Sequence, residues 1–216
     1  MLIINFKTYK EATGKNALLL AQIAEDVSQR VGLEIIVVPQ PTDIFQIKKS
    51  TGIEIWAQHL DDIDPGRHTG WISPFALSQV GATGVLINHS EHRLSLEEIE
   101  KRVKYAKKYG LKTLVLTDSV EEAKEINLMK PDYIGFEKEE LIEGEVSIVE
   151  LEGAKIEEIL DQIDRPLIIG SGINEEDDIK ESLKIGAKGV ILASAVIKAQ
   201  NIEEKLTKLA EAYKQF

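Results

Sequence analysis

Eight short runs rich in Ile, Val and Leu recur along the chain, at Met1–Phe6, Glu34–Val38, Ile53–Ala57, Val85–Ile87, Thr113–Leu116, Tyr133–Phe136, Leu167–Ile169 and Val190–Leu192. They do not alternate with polar residues. A strand with one wet face alternates, whereas a strand covered on both faces reads as an unbroken apolar run. Between them lie stretches of helical period: Leu20, Ile23, Ala24, Val27 and Val31, for example, or Leu96, Ile99, Val103 and Ala106. Ser95 and Glu98 have the spacing of a capping box, and Gly32, Gly81, Gly110 and Gly186 fall just past expected helix ends. Eight strand–helix units result, at roughly 27 residues each in a chain of 216. No linker or low-complexity segment separates them. The expectation is one α/β domain over residues 1–216, folded as a (β/α)8 barrel of eight parallel strands with outer helices. An open doubly wound sheet would have fewer strands at this length and a glycine-rich phosphate signature after its first strand, which is absent.

Composition narrows the partners. A net charge of −11 with no basic stripe argues against a nucleic-acid surface. Attraction for a small anion must then be local, from one placed cation and from backbone N–H groups. With no cysteine there is no disulfide framework, thiol nucleophile or thiolate metal site. No apolar run approaches a membrane span, and Met1 leads straight into the first strand without a signal peptide. A cytoplasmic protein with neither nucleic-acid nor membrane partners is expected.

In such a barrel the C-terminal strand ends converge on one mouth, and catalytic groups sit there. The first strand ends in Asn5-Phe6-Lys7, the third in Gln58-His59, the fourth in Asn88-His89-Ser90-Glu91 and the sixth in Glu137. The seventh ends in Gly170-Ser171-Gly172 and the eighth in Ala193-Ser194-Ala195. Singly, each has an ordinary reading: a solvated lysine, a structural histidine, a surface carboxylate, a tight turn. Jointly they supply a cation, a histidine, a carboxylate base and two turns able to offer N–H groups. His89 and His92 are spaced as a metal pair could be, but no third ligand lies at a short spacing.

Together, Asn5-Phe6-Lys7, Ala57-Gln58-His59, Asn88-His89-Ser90-Glu91 and Glu137 resemble the triosephosphate isomerases. The chain length, Pro65–Gly70, Glu140-Leu141-Ile142 and Leu192-Ala193-Ser194 are similar to the short archaeal branch in particular. The resemblance covers the whole chain in order. It implies a TIM barrel that interconverts dihydroxyacetone phosphate and D-glyceraldehyde 3-phosphate in glycolysis and gluconeogenesis. Glu137 would be the proton-shuttling base, neutral His89 the donor to the carbonyl oxygen, and Lys7 a fixed positive charge. Asn5 and Phe6 would bind substrate beside Lys7, with Ser90 and Glu91 in support. The phosphate would rest on N–H groups of Ile142, Gly172, Ala193 and Ser194. No metal or organic cofactor is implied. A homodimer or homotetramer is, with the loop after the third strand reaching a neighbouring subunit. His59, His68, Asp61, Asp62 and Asp64 lie in that loop and would be interface or solvent groups, and Trp71 and Phe75 are candidates for buried contact.

The loop after the sixth strand departs from the family pattern. Lys138 stands where a hinge Pro is usual and Glu143 where a Gly is usual, the loop is a few residues shorter, and Ala195 replaces a common Gly. A carboxylate ~8 Å from a phosphate dianion costs roughly 4 kcal/mol at an effective dielectric of ~20. Weakened substrate affinity is therefore expected if Glu143 faces the phosphate. Two alternatives stand beside the isomerase: another phosphate-binding barrel enzyme, such as a sugar-phosphate epimerase or a thiamin- or tryptophan-pathway enzyme, and a catalytically weakened anion-binding barrel.

Overall fold

The computed structural model describes residues 1–141, 144 and 146–215. Its eight strands are β1 (Leu2–Asn5), β2 (Ile35–Val38), β3 (Glu54–Ala57), β4 (Gly84–Ile87), β5 (Lys112–Thr117), β6 (Tyr133–Phe136), β7 (Leu167–Ile169) and β8 (Gly189–Leu192). They close into a barrel in sequence order. Neighbouring strands are parallel, and the seam pairs Leu2 with Val190 and Ile4 with Leu192. The helices around it are α1 (Lys15–Val31), α2 (Pro41–Ser50), α3 (Pro74–Gln79), α4 (Leu96–Lys108), α5 (Val120–Leu128), α6 (Ile148–Gln162), α7 (Glu176–Lys184), α8 (Ser194–Ile197) and α9 (Ile202–Glu211).

All eight apolar runs become strands, and the reason is visible in the core. Successive side chains of a strand point to opposite faces. Ile3, Ile36, Val38, Trp56, Leu86, Leu114, Leu116, Ile168 and Ile191 point inward and fill the barrel. Their neighbours, such as Leu2, Ile4, Ile35 and Val37, point outward and pack against the helices. Both faces are dry, so both must be apolar. Helix starts follow their caps: the Ser95–Glu98 capping box opens α4, while Ser119, Ser147 and Asn201 accept backbone N–H bonds at the starts of α5, α6 and α9. Gly32, Gly81, Gly110 and Gly186 all take positive φ, as the helix-stop pattern requires. Among the described residues no helix is long and apolar enough to cross a membrane.

The N-terminal end of the barrel is packed shut. Trp56 is fully buried and lies against Gly84, where a Cβ would come within 2.6 Å of the indole ring. Tyr133 leans on Trp56 with ring centroids 5.7 Å apart. The Tyr213 hydroxyl donates to the Met1 carbonyl (2.6 Å) and accepts from the Val190 N–H (3.2 Å), bridging the seam between β1 and β8.

Candidate active site

The opposite, C-terminal mouth is held open by polar side chains. After β1, the Asn5 side-chain oxygen accepts the Lys7 N–H (3.0 Å), and the chain turns with Lys7 at φ 45°. The Gln58 amide donates to the Lys7 carbonyl (2.9 Å) and the Val38 carbonyl (3.2 Å). The Lys7 backbone is thus gripped from both sides. Its ammonium lies 2.8 Å from Glu91 Oε1, a pair in which the lysine side chain is 11% exposed and the glutamate 53%.

After β4, Asn88 adopts φ 63° and is buried. Its amide nitrogen donates to Leu116 O (2.8 Å) and Glu122 Oε1 (3.2 Å), and its oxygen accepts the Leu94 N–H (2.8 Å). This turn delivers His89 to the mouth, just before a 3-10 turn over Ser90–His92. The Glu91 N–H points at His89 Nδ1 (3.1 Å). Nδ1 accepts that bond, so the neutral ring carries its proton on Nε2. Nε2 lies 3.6 Å from Glu137 Oε2.

After β6, Glu137 follows the inward parity of Gly135. It is 4% exposed, where a lone carboxylate would ordinarily sit in solvent. Its N–H is tied to the Thr117 carbonyl (3.0 Å), and its Oε1 accepts the Ser90 N–H (2.7 Å). The next residue, Lys138, donates its N–H to Ser171 Oγ (3.0 Å). After β7, Ser171 and Gly172 both take positive φ. A Cβ on Gly172 would overlap the Val146 carbonyl, so only glycine fits there. The Asn174 amide spans the carbonyls of Gly144 (2.9 Å) and Gly172 (3.2 Å), joining the loops after β6 and β7.

Asn5, Lys7, His89, Glu137, Gly172, Ala193 and Ser194 line one cavity. Ser90 stands behind Glu137, its hydroxyl buried and without a hydrogen-bond partner among the described residues. Glu91 lines an adjoining basin with Lys7, His59 and His92. Phe6 requires a correction. It does not line the cavity but is fully buried in the layer between strands and helices. The cause is parity, since Phe6 shares the outward face of Leu2 and Ile4. Ile142 and Glu143 lie outside the described residues. Sequence reasoning missed Asn174, Ser171 as a hydrogen-bond acceptor, and Glu122. An Asn just past a Gly-Ser-Gly turn was a usable signal for the first.

The loop after β3 folds onto its own chain. Arg102, from α4, donates to the Leu60 carbonyl (3.0 Å) and lies 3.7 Å from Asp61 and 3.8 Å from Asp62. Asp64 bonds Lys108 and the Tyr109 hydroxyl, each at 2.6 Å. His59 meets Asp61 at 3.2 Å and stacks on His92, with ring centroids 4.4 Å apart. Burial pushes the His59 pKa below its ordinary value, against the opposing pull of Asp61. His92 therefore pairs with His59 rather than with His89. Trp71 (55%) and Phe75 (42%) remain well exposed.

The mouth thus brings together a sequestered carboxylate, an imidazole whose Nε2–H donor is fixed by its other nitrogen, and a lysine ammonium. Such a set can abstract a proton next to a carbonyl while stabilising the oxyanion that forms.

Residues 1–134 match the family model described as triosephosphate isomerase, and residues 76–209 match the one described as indole-3-glycerol phosphate synthase. The triosephosphate isomerase of Methanocaldococcus jannaschii is 39% identical over 214 residues, covering 97% of this chain and 98% of its own. That of Methanobacterium bryantii is 39% identical over 97% of this chain and 95% of its own, and that of Methanosarcina barkeri 33% identical over 96% of both. Among solved structures, triosephosphate isomerase from Bartonella henselae superposes with a TM-score of 0.76 at 20% identity, covering 99% of this chain and 98% of that one. At that identity the superposition speaks for the barrel.

Proposed function

The chain belongs to the triosephosphate isomerase family, and from that premise we propose that it interconverts dihydroxyacetone phosphate and D-glyceraldehyde 3-phosphate through an enediol. The observation that carries the reading is the 3.6 Å approach of Glu137 Oε2 to His89 Nε2, in one cavity with Lys7.

In this reading Glu137 takes the proton from one carbon and returns it to its neighbour. A carboxylate suits the task because it serves two adjacent carbons with little movement. Its Oε1 is engaged by the Ser90 N–H, leaving Oε2 toward the cavity. His89 donates from Nε2 to the substrate oxygen that gains charge, and the Lys7 ammonium adds a fixed field there. Glu91 supports both, through its backbone N–H to His89 and its side chain to Lys7. The phosphate rests on backbone N–H groups at Gly172 and at Ala193-Ser194, where α8 begins and its first N–H groups lack helical partners. The reaction as written needs neither metal nor organic cofactor. It belongs to glycolysis and gluconeogenesis in the cytoplasm.

The assembly we propose is a homodimer or homotetramer, with exposed Trp71 and Phe75 in the contact. Light scattering checks it, and a monomer at micromolar concentration overturns it.

A second reading follows from the match over residues 76–209: a phosphate-binding barrel enzyme that forms indole-3-glycerol phosphate. A coupled assay with glyceraldehyde 3-phosphate decides between them. Turnover supports the isomerase. No turnover at millimolar substrate leaves the synthase reaction and a catalytically weakened anion-binding barrel, which an assay for indole-3-glycerol phosphate then separates.

A further inference from the structure

Glu122 has no place in the chemistry above and does not line the cavity, yet it lies between the two strand ends that carry the base and the imidazole. It sits in the first turn of α5, and its side chain is 16% exposed. Its Oε1 accepts from Asn88 Nδ2 (3.2 Å) and Arg93 Nη2 (2.9 Å). Its Oε2 accepts from Arg93 Nη2 (2.7 Å) and Thr117 Oγ (2.7 Å). Asn88 is the residue before His89, held at φ 63° by its side-chain bonds. Thr117 is the last residue of β5, and its carbonyl receives the Glu137 N–H.

We infer that Glu122 is a positioning residue that sets His89, through Asn88, and Glu137, through Thr117, in register with each other. The inference rests on the isomerase reading of the site. Three donor groups converge on Glu122, and an ionised carboxylate is the side chain that accepts from all of them without offering a hydrogen of its own. Glutamine is a near-substitute, since Thr117 Oγ can accept from its NH2 while its oxygen serves Asn88 and Arg93; methionine, of similar length, accepts from neither Asn88 nor Thr117, so both links are broken. Arg93 keeps a second carboxylate within reach, since Asp118 lies 3.6 Å away, so the arginine is not stranded by the change. Asn88 has no substitute for its Glu122 bond: it keeps those to Leu116 and Leu94, its left-handed backbone relaxes by what the third bond restrained, and His89 moves with it.

The merely structural alternative is that Glu122 only helps α5 to start. That cap is made by the Glu122 backbone N–H to Ser119 Oγ (3.3 Å), and a substituted side chain keeps it.

The test uses the full chain with E122M and T117V. We expect E122M to lower kcat by ~10- to 100-fold, the scale of a small misplacement of a catalytic group, with KM within about twofold. Nitrogen NMR of the ligand-free protein should show one His89 tautomer in the wild type and a shifted or exchange-broadened Nε2–H in E122M. T117V cuts only the Glu137 side, so it should lower kcat while leaving the imidazole signal at its wild-type position. An unchanged kcat and imidazole signal in E122M overturns the inference. So does a kcat loss that only follows a fall in folded fraction, with the imidazole signal unmoved. If the wild type turns over no triose phosphate, the isomerase reading fails, and the imidazole signal alone then decides the positioning claim.

Discussion

At its N-terminal end the barrel is filled by the Trp56 indole, backed by Gly84 and Tyr133, and the seam is clasped by Tyr213. At its C-terminal end it is lined by Asn5, Lys7, His89 and Glu137, two of them (Asn5 and Glu137) buried and all held by hydrogen bonds. The backbone differs in the same sense. Among the described residues, the non-glycines at positive φ are Lys7, Asn88, Lys130 and Ser171, and three of these four follow the C-terminal ends of β1, β4 and β7. Each left-handed non-glycine costs about 1–3 kcal/mol. The fold accepts that cost at one mouth and avoids it almost wholly at the other. One end contributes stability and the other geometry, and substitutions should separate the two.

The largest effect expected is at the open end. E137Q should lower kcat about a thousandfold, within the range for losing a general base, while Tm stays close to wild type. A parallel collapse of Tm would mean that the carboxylate is structural and would undo the contrast. At the closed end, Gly84→Ala forces a Cβ against the indole, and overpacking of this kind costs about 1–3 kcal/mol. Calorimetry should show a lower Tm with kcat per folded molecule unchanged; altered kcat would show that the two ends are mechanically coupled.

Tyr213 offers a pH test of the same end. Burial, opposed only by its bond from Val190, raises its phenol pKa well above the ordinary value. The folded state therefore prefers the neutral phenol. The stability this provides is complete below the unfolded pKa of about 10 and is lost as pH rises towards the folded value. Tyr213→Phe should be less stable at pH 7 by about 1 kcal/mol, for the lost bond to Met1, and this deficit should shrink above pH 10. A constant deficit across pH would show that Tyr213 ionisation is not linked to folding. The smallest effect on stability is expected from Ser171→Gly. Relief of a left-handed serine, about 1 kcal/mol, is offset by loss of the Lys138 N–H bond of similar size. Tm should hardly move, while kcat falls severalfold because Lys138 follows the base. A fall in Tm with kcat intact would reassign Ser171 to the scaffold.

The strands were legible because both their faces are dry, so each reads as a solid apolar block whatever its register. Helix ends were legible because a left-handed stop is a local requirement that glycine meets. Parity could have placed Phe6: alternation from Leu2 through Ile4 sends it to the helix layer, but the likeness of Asn5-Phe6-Lys7 to a binding motif outweighed that count. Glu137 was harder. Its burial depends on the Ser90 N–H, which lies on another strand end and cannot be read from the neighbours of either residue. Glu122 was out of reach, because a carboxylate in a first helical turn has an ordinary dipole reading, and only the closed barrel brings it to Asn88 and Thr117.

The clasp at the seam also governs when this barrel can exist. β1 is made well before its partner β8 and the Tyr213 hydroxyl, with most of the barrel lying between them in the sequence. At about 5–20 residues per second, β1 waits roughly 10–40 s with one edge unpaired. An open edge is a template for pairing with other chains. Closure thus waits for β8 and Tyr213, and the nascent barrel offers an open edge until both have emerged.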